Sequence, residues 1–213
     1  MSSSTPKSIA LITMSTRSPR VGPHVVDFVT ETISPLITPE DNMTLAPVDL
    51  ATFKLPVYDE AVIPAMVPSQ ATFSNKHSIA WSDEIKRHDG YIIVTGEYNY
   101  GIPGGTKNAV DYLVNEWMGK PVVVISYGVS GGNLANNALS SILEKMKLRV
   151  AATRPELPFA GGKGPDLFAA MLKGELGEES KKLWEEEKSE EVKKAFGELK
   201  VLLEEEEKDL KPE

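Results

Sequence analysis

Three loops carry the residues that could do chemistry in this 213-residue chain. Loop 1, residues 15–22 (STRSPRVG), follows an apolar run and precedes a helical pattern. Hydroxyl groups, arginine side chains and the backbone N–H groups of a helix start are the donors that bind a phosphate. The same residues also suit an ordinary helix start with solvated arginines. From residue types alone, both interpretations of loop 1 stay open.

Loop 2, residues 96–105 (GEYNYGIPGG), contains two tyrosines, an asparagine, a glutamate and four glycines. It follows an apolar β-branched run at residues 91–95, and Thr106 is predicted to cap the next helix. Aromatic rings and amide groups on a flexible backbone suit a flat ligand with polar edges. The alternative is a glycine-rich turn that merely connects a strand to a helix.

Loop 3, residues 127–132 (YGVSGG), contains the pattern G-x-S-x-G, which is the nucleophile elbow of many hydrolases. In those hydrolases the catalytic histidine follows the serine along the chain. Here His24, His77 and His88 all precede Ser130, so a hydrolase is rejected. The glycines of loop 3 instead allow backbone N–H groups to approach the edge of a ring, or they form a tight turn.

Other catalytic and binding motifs are incomplete or absent in this sequence. Thr106 occupies the position where a P-loop needs its second glycine, and the chain has no G-x-G-x-x-G, so a dinucleotide has no Rossmann site of its own. The histidines lack metal-ligand spacing and are interpreted as surface residues, so no metal site is predicted. Cysteine is absent, which excludes disulfides, thiolate catalysis and cysteine-ligated zinc.

The elements that position the loops are apolar runs alternating with helical patterns. The runs predict five strands, at residues 8–14, 43–50, 91–95, 120–126 and 149–152. Continuous apolar strands are typical of a parallel sheet that is covered on both faces. Pro47 favours an edge position for the second strand, which fits the flavodoxin order 2-1-3-4-5. In such sheets ligands bind outside the carboxyl ends of the strands, where the three loops lie.

The composition changes toward the C-terminus. Residues 175–213 carry 15 acidic and 8 basic side chains, a net charge of −7 out of −8 for the whole chain. An apolar stripe at helical spacing, comprising Val192, Phe196, Leu199 and Leu203, predicts an amphipathic helix that docks on its own subunit or across a dimer. Because the acidity is concentrated there, and no apolar run approaches a bilayer span, neither nucleic acid nor a membrane is an expected partner.

The motif around loop 2 carries a family resemblance. Residues 95–113, TGEYNYGIPGGTKNAVDYL, resemble the PEYN-x-x-(I/Y)P-x-x-LKNA-I-D signature of NADPH-dependent FMN reductases and flavodoxin-like quinone reductases, most of all the fungal enzymes. Gly96 stands where the family usually has proline, and Thr106 where it has leucine. The resemblance covers roughly residues 8–155. It implies that loop 1 holds the phosphate of FMN and that the isoalloxazine ring lies across loops 2 and 3.

The resemblance implies that the three loops form a cofactor site. No side chain is expected to be catalytic, because the flavin N5 carries the hydride. The predicted cofactor-binding residues are Ser15, Thr16, Arg17, Arg20, Val21, Gly22, Glu97, Tyr98, Asn99, Tyr100, Tyr127, Gly128, Ser130, Gly131 and Gly132.

The predicted fold is a flavodoxin-like three-layer α/β sandwich with a five-stranded parallel sheet and a C-terminal helical extension. Residues 1–173 are expected to form the FMN-binding domain and residues 174–213 the acidic extension. The implied activity is ping-pong hydride transfer from NAD(P)H to quinones or free flavin, in a cytoplasmic homodimer. The short polar N-terminus is not expected to be a secretory signal. A flavodoxin-type electron carrier or a flavin-bound regulatory module is the alternative.

Overall fold

The structure, a computed structural model, describes residues 5–205. Residues 1–4 and 206–213 lie outside the described residues, and the latter include the end of the predicted acidic extension. No helix between residues 5 and 205 is long and apolar enough to cross a membrane. The same part of the chain contains no group of three or more histidine, aspartate or glutamate side chains that could hold a metal ion.

A parallel sheet forms the middle layer, and its predicted order is confirmed. The strands are β1 (Lys7–Thr13), β2 (Met43–Asp49), β3 (Gly90–Gly96), β4 (Pro121–Gly128), β5 (Arg149–Val150) and β6 (Glu156–Pro158). They run in the order β2-β1-β3-β4-β5, with β6 also paired to β4. Every residue of β3 and β4 is buried, because helices cover both faces of the sheet. Strand β2 lies at the edge, where Pro47 is tolerated.

The fifth position of the sheet differs from the single strand predicted at residues 149–152. Strand β5 pairs with Pro121 and Val122 at the start of β4, whereas β6 pairs with residues 126–128 at its end. Pro155 lies between the two short strands and has no N–H to donate, although its carbonyl accepts from Ser126 N–H at 3.0 Å. The interruption has a consequence for the site, since β6 delivers Phe159 to the carboxyl end of β4.

Helices form the two outer layers. They are α1 (Gly22–Ile33), α2 (Lys76–Lys86), α3 (Gly104–Asp111), α4 (Asn133–Lys145), α5 (Pro165–Leu172), α6 (Glu178–Glu187) and α7 (Ser189–Glu204). One apolar core joins α1 and α7 to one face of the sheet, and a second joins α2, α3 and α4 to the other. Successive strand residues alternate between the two cores, as Ile92 and Ile93 do in β3.

The predicted C-terminal amphipathic helix is α7, and it docks on its own chain. Its apolar stripe is buried against α1 and β4, with Phe196 and Leu199 almost fully enclosed. In α6 the fully buried Trp184 packs against Phe28, with ring centroids 5.5 Å apart, and against Phe159 at 6.0 Å. These helices therefore complete one outer layer of the sandwich, and the domain boundary at residues 173/174 stays a prediction.

Two local predictions were wrong. Thr106 does not cap α3, because the helix begins two residues earlier and its N-cap is Pro103. The Thr106 side chain is instead fully buried, with its Oγ1 3.4 Å from that of Thr95. His88 is not a surface residue, since only 1% of it is exposed. Its Nδ1 lies 2.8 Å from Ser8 Oγ and its Nε2 lies 3.2 Å from Glu84 Oε1, so both ring nitrogens have a hydrogen-bond partner.

Candidate functional site

The three loops meet at the carboxyl edge of the sheet, because β1, β3 and β4 are neighbours and parallel. Glu97 N–H donates to Tyr127 O at 3.2 Å, which joins loop 2 to loop 3. The Arg17 guanidinium lies over the Tyr98 ring, 5.3 Å from its centroid, which joins loop 1 to loop 2. Contacts of this kind bring residues from distant parts of the sequence into a single site.

A buried hydroxyl pair marks the base of loop 1. Ser15 is 2% exposed, and its Oγ makes no standard hydrogen bond within residues 5–205, although the Tyr127 side chain interacts with it. A Cβ at Gly22 would lie 2.1 Å from Ser15 Oγ, so a larger residue at this position would displace the Ser15 hydroxyl. Burial raises the pKa of Tyr127 to about 12, and this hydroxyl therefore stays protonated at neutral pH.

The two arginines of loop 1 have different environments. Arg20 donates to both carboxylate oxygens of Asp49, at 2.7 and 2.5 Å, and to Ser15 O at 2.7 Å. The hydrogen bond from Arg20 holds the pKa of the Asp49 carboxyl below its ordinary value. Arg17 is exposed, and its one hydrogen bond among the described residues runs from Nε to Pro19 O at 3.2 Å. Arg17 is thus the guanidinium that remains available to an anion.

Loop 2 is held in a tight turn by backbone hydrogen bonds. Tyr98 and Gly101 exchange both N–H···O bonds at 3.1 Å, and the central residues Asn99 and Tyr100 have φ values of 49° and 64°. Positive φ is tolerated by asparagine but is strained for tyrosine, and such strain clusters at functional sites. The turn leaves the Tyr100 side chain 81% exposed, outside the cavity that Tyr98 and Asn99 line.

Glu97 connects loop 2 to the helix that follows loop 3. Its Oε2 accepts from the N–H groups of Leu134 at 2.9 Å and Ala135 at 3.2 Å, in the first turn of α4. The first N–H groups of a helix have no partners inside the helix, and a carboxylate there is also favoured by the helix dipole. The carboxylate of Glu97 therefore stabilises the start of α4 while its side chain lines the cavity.

The glycines of loop 3 are required by its backbone. Gly131 and Gly132 both have φ of 78°, and a Cβ at Gly131 would lie 2.7 Å from Glu156 Cβ. Ser130 is exposed, yet the histidines pair with carboxylates elsewhere: His88 with Glu84, His77 with Asp59 and His24 with Asp27. Within residues 5–205 the elbow pattern therefore has no histidine partner, which agrees with the rejection of a hydrolase.

A cavity of about 340 Å³ opens between the loops. It is lined by Arg17, Val21, Glu97, Tyr98, Asn99, Tyr127, Gly128, Val129, Phe159, Leu167, Ala170 and Met171. The first seven were predicted as cofactor-binding residues. The other predicted residues surround the cavity without lining it: Ser15, Thr16, Arg20, Gly22, Tyr100, Ser130, Gly131 and Gly132. The sequence interpretation missed the last five lining residues, of which Phe159 follows β6 directly and three come from α5, and these four carry no motif. The sequence interpretation also missed Asp49 as the partner of Arg20. Its position near the carboxyl end of the strand predicted at residues 43–50 could have indicated that it lies close to loop 1.

Comparisons with known proteins point to one group of enzymes. The family model of NADPH-dependent FMN reductases matches residues 8–160. The NAD(P)H-dependent FMN reductase ntnL of Nectria sp is 53% identical over 197 residues, which span 92% of this chain and 96% of that protein. A quinone reductase of Escherichia coli is 42% identical over 89 residues, covering 39% of this chain and 46% of its own. The flavoenzyme NAD(P)H:(acceptor) oxidoreductase FerB of Paracoccus denitrificans shares the fold, with a TM-score of 0.60 at 19% identity, over 90% of this chain and 97% of its own.

Proposed function

Because the chain belongs to the family of NADPH-dependent FMN reductases, we propose that it holds FMN where its three loops meet and uses NAD(P)H to reduce a quinone or free flavin. One observation carries the proposal. An available cation, Arg17, and the aromatic and amide side chains of Tyr98 and Asn99 line one cavity at the carboxyl edge of a parallel sheet. Sites for phosphate-bearing planar ligands occur at this edge of open α/β sheets.

The residues present fit FMN. Ser15 provides a buried hydroxyl without a standard hydrogen-bond partner in the described chain, and Arg17 provides an exposed guanidinium, so loop 1 would hold the phosphate. Tyr98 and Asn99 of loop 2 and Gly128 of loop 3 would hold the ring system. The glycines of loop 3 remove the side chains that would otherwise separate a ring from the backbone N–H groups.

The chain's own contribution is binding and orientation. FMN, when bound, supplies the hydride chemistry that links a nicotinamide donor to an acceptor. The Tyr127 hydroxyl remains a proton-bearing donor at neutral pH, because its pKa is raised to about 12. Glu97 is occupied by the N–H groups of α4 and is therefore not assigned as a general base. Phe159 and Met171 contribute apolar side chains to the lining of the cavity.

We propose a ping-pong sequence in which donor and acceptor use this cavity in turn. The sequence has no G-x-G-x-x-G motif to hold a dinucleotide separately, and a cavity of about 340 Å³ has little room for two further ligands beside FMN. Initial rates measured at several fixed acceptor concentrations should give parallel double-reciprocal lines. Lines that intersect would contradict the shared cavity.

We further propose a cytoplasmic homodimer. The resemblance implies the dimer, and exposed apolar side chains such as Val57, at 86%, and Ile63, at 60%, are consistent with a surface that a second copy covers. A cytoplasmic location would supply the reduced nicotinamide. Sedimentation velocity tests the oligomeric state, and cell fractionation with an antibody tests the location.

The decisive experiment for the function is spectroscopic. The purified chain, incubated with FMN and passed through a desalting column, should retain the yellow flavin spectrum. Anaerobic addition of NADPH or NADH should then bleach it, and a quinone should restore it. Retained flavin without bleaching by either nicotinamide would favour an electron carrier, and failure to retain flavin would refute the proposal.

A further inference from the structure

Helix α5 supplies the apolar wall of the cavity. Leu167, Ala170 and Met171 line it from this helix, and Phe159 lines it from the chain just after β6. Loops 1 and 2 contribute Val21 and charged, amide and aromatic groups to the lining. Helix α5 begins at Pro165, beyond residues 8–160 that match the family model. Phe159 lies within those residues, and the 197 residues aligned with ntnL extend over α5 as well.

The apolar surface of α5 continues from the cavity to the outside of the molecule. Met171 lines the cavity and is 44% exposed, while its neighbours Phe168 and Leu172 are 52% and 71% exposed. Residues 168, 171 and 172 are spaced i, i+3 and i+4, so their side chains lie on one face of the helix. Single exposed apolar side chains are ordinary, but a group that adjoins a ligand cavity indicates a surface for an apolar ligand.

Helix α5 is fixed in place on both sides. At its start, Asp166 Oδ2 accepts from Ser180 N–H at 2.7 Å, which ties it to α6. Beyond its end, Gly174 has φ of 74° and packs on loop 1, where an added Cβ would lie 2.6 Å from Arg20 N. A wall tied to both α6 and loop 1 presents its apolar face in a constant position relative to the cavity.

We propose that α5 selects electron acceptors that carry an aliphatic substituent on the ring that is reduced. The ring enters the cavity and the substituent lies along Phe168, Met171 and Leu172. This inference rests on the proposed function and adds the class of acceptor to it. Each methylene removed from water strengthens binding about fourfold, so even a chain buried over a few carbons produces a clear preference.

The test compares two acceptors with the same ring. One is 2,3-dimethoxy-5-methyl-1,4-benzoquinone, and the other is that quinone with a decyl chain at position 6. Titration calorimetry on the oxidised protein with FMN, without nicotinamide, measures both dissociation constants. We expect the wild type to bind the decyl quinone at least tenfold more tightly. In the double variant F168Q/L172Q, this ratio should fall by about tenfold. Glutamine keeps helix propensity, and both side chains are exposed, so folding is retained.

The matched control is V201Q, which replaces an equally exposed apolar residue (58%) on α7. It should keep the wild-type ratio, so a fall in this control would indicate general loss of apolar surface and overturn the inference. A wild type that retains FMN but binds both quinones equally would overturn it as well. So would a dimer that dissociates in F168Q/L172Q, because the face would then be covered by a second copy. A wild type that retains no FMN would refute the proposed function and this inference with it.

Discussion

The two arginines of loop 1 should respond differently to substitution, although sequence reasoning treated them alike. Arg17 is exposed at the cavity, whereas Arg20 is bound to Asp49 and to Ser15 O. We therefore predict that Arg17→Ala weakens FMN binding with little change in stability. Arg20→Ala should lower the free energy of unfolding, and it should weaken FMN binding only as far as loop 1 is displaced.

The magnitudes follow from these contacts. A charge-assisted hydrogen bond contributes roughly 1.5–3 kcal/mol, and the exposure of Arg17 favours the lower end, so FMN should bind about tenfold more weakly. The Arg20–Asp49 pair is 20% and 35% exposed, which places it between a surface pair and a buried one. Its loss should cost about 1–2 kcal/mol of stability. Because the pKa of Asp49 is lowered, this contribution is complete above about pH 4 and is lost as the pH falls through the folded value.

The assays are FMN titration by quenching of flavin fluorescence and urea unfolding followed by circular dichroism, both at pH 7. Asp49→Asn is the matched control, since it removes the charge partner of Arg20 and leaves Arg17 untouched. It should reproduce the stability loss of Arg20→Ala. The reasoning would be refuted if Arg17→Ala left FMN affinity unchanged while Arg20→Ala abolished it at full stability.

Three further predictions concern the scaffold. Burial lowers the pKa of His88, so below about pH 6.5 the unfolded chain takes up a proton that the folded chain does not. The free energy of unfolding therefore decreases as the pH is lowered. Urea midpoints of His88→Gln should show a weaker pH dependence between pH 7 and 5, and an unchanged slope would contradict this. Phe196→Ala, on the buried face of α7, should lower the free energy of unfolding in urea by about 3–5 kcal/mol. Phe168→Ala at the surface should lower it by under about 1 kcal/mol. Equal losses in the two variants would argue against a core shared by α7 and the sheet. Gly131→Ala should weaken FMN retention and cost more stability than Gly161→Ala, since both have positive φ but only the first meets a neighbour. Equal behaviour of the two would contradict the steric argument.

The sheet and its order were predictable because their causes are local. Continuous apolar runs such as residues 91–95 must be buried on both faces, and helices between them force a parallel arrangement. Pro47 identified the edge strand, since proline has no N–H to donate to a neighbouring strand. Once the order was set, the three loops had to meet at one edge. The break between β5 and β6 was not anticipated, because the effect of Pro155 depends on its pairing with β4.

By itself, the sequence determined the layers of the fold, the convergence of the three loops and seven of the residues that line the cavity. The tertiary structure decided what those residues are free to do. The Arg20 guanidinium is bound to Asp49, and the Glu97 carboxylate is bound to the first N–H groups of α4. The role of either side chain therefore cannot be predicted from the sequence of its own loop. The apolar residues of α5 that line the cavity could not be recognised in the sequence, because apolar side chains in a helix equally predict packing in the core. Each of these outcomes depends on which distant residues become neighbours, and local periodicity carries no information about that pairing.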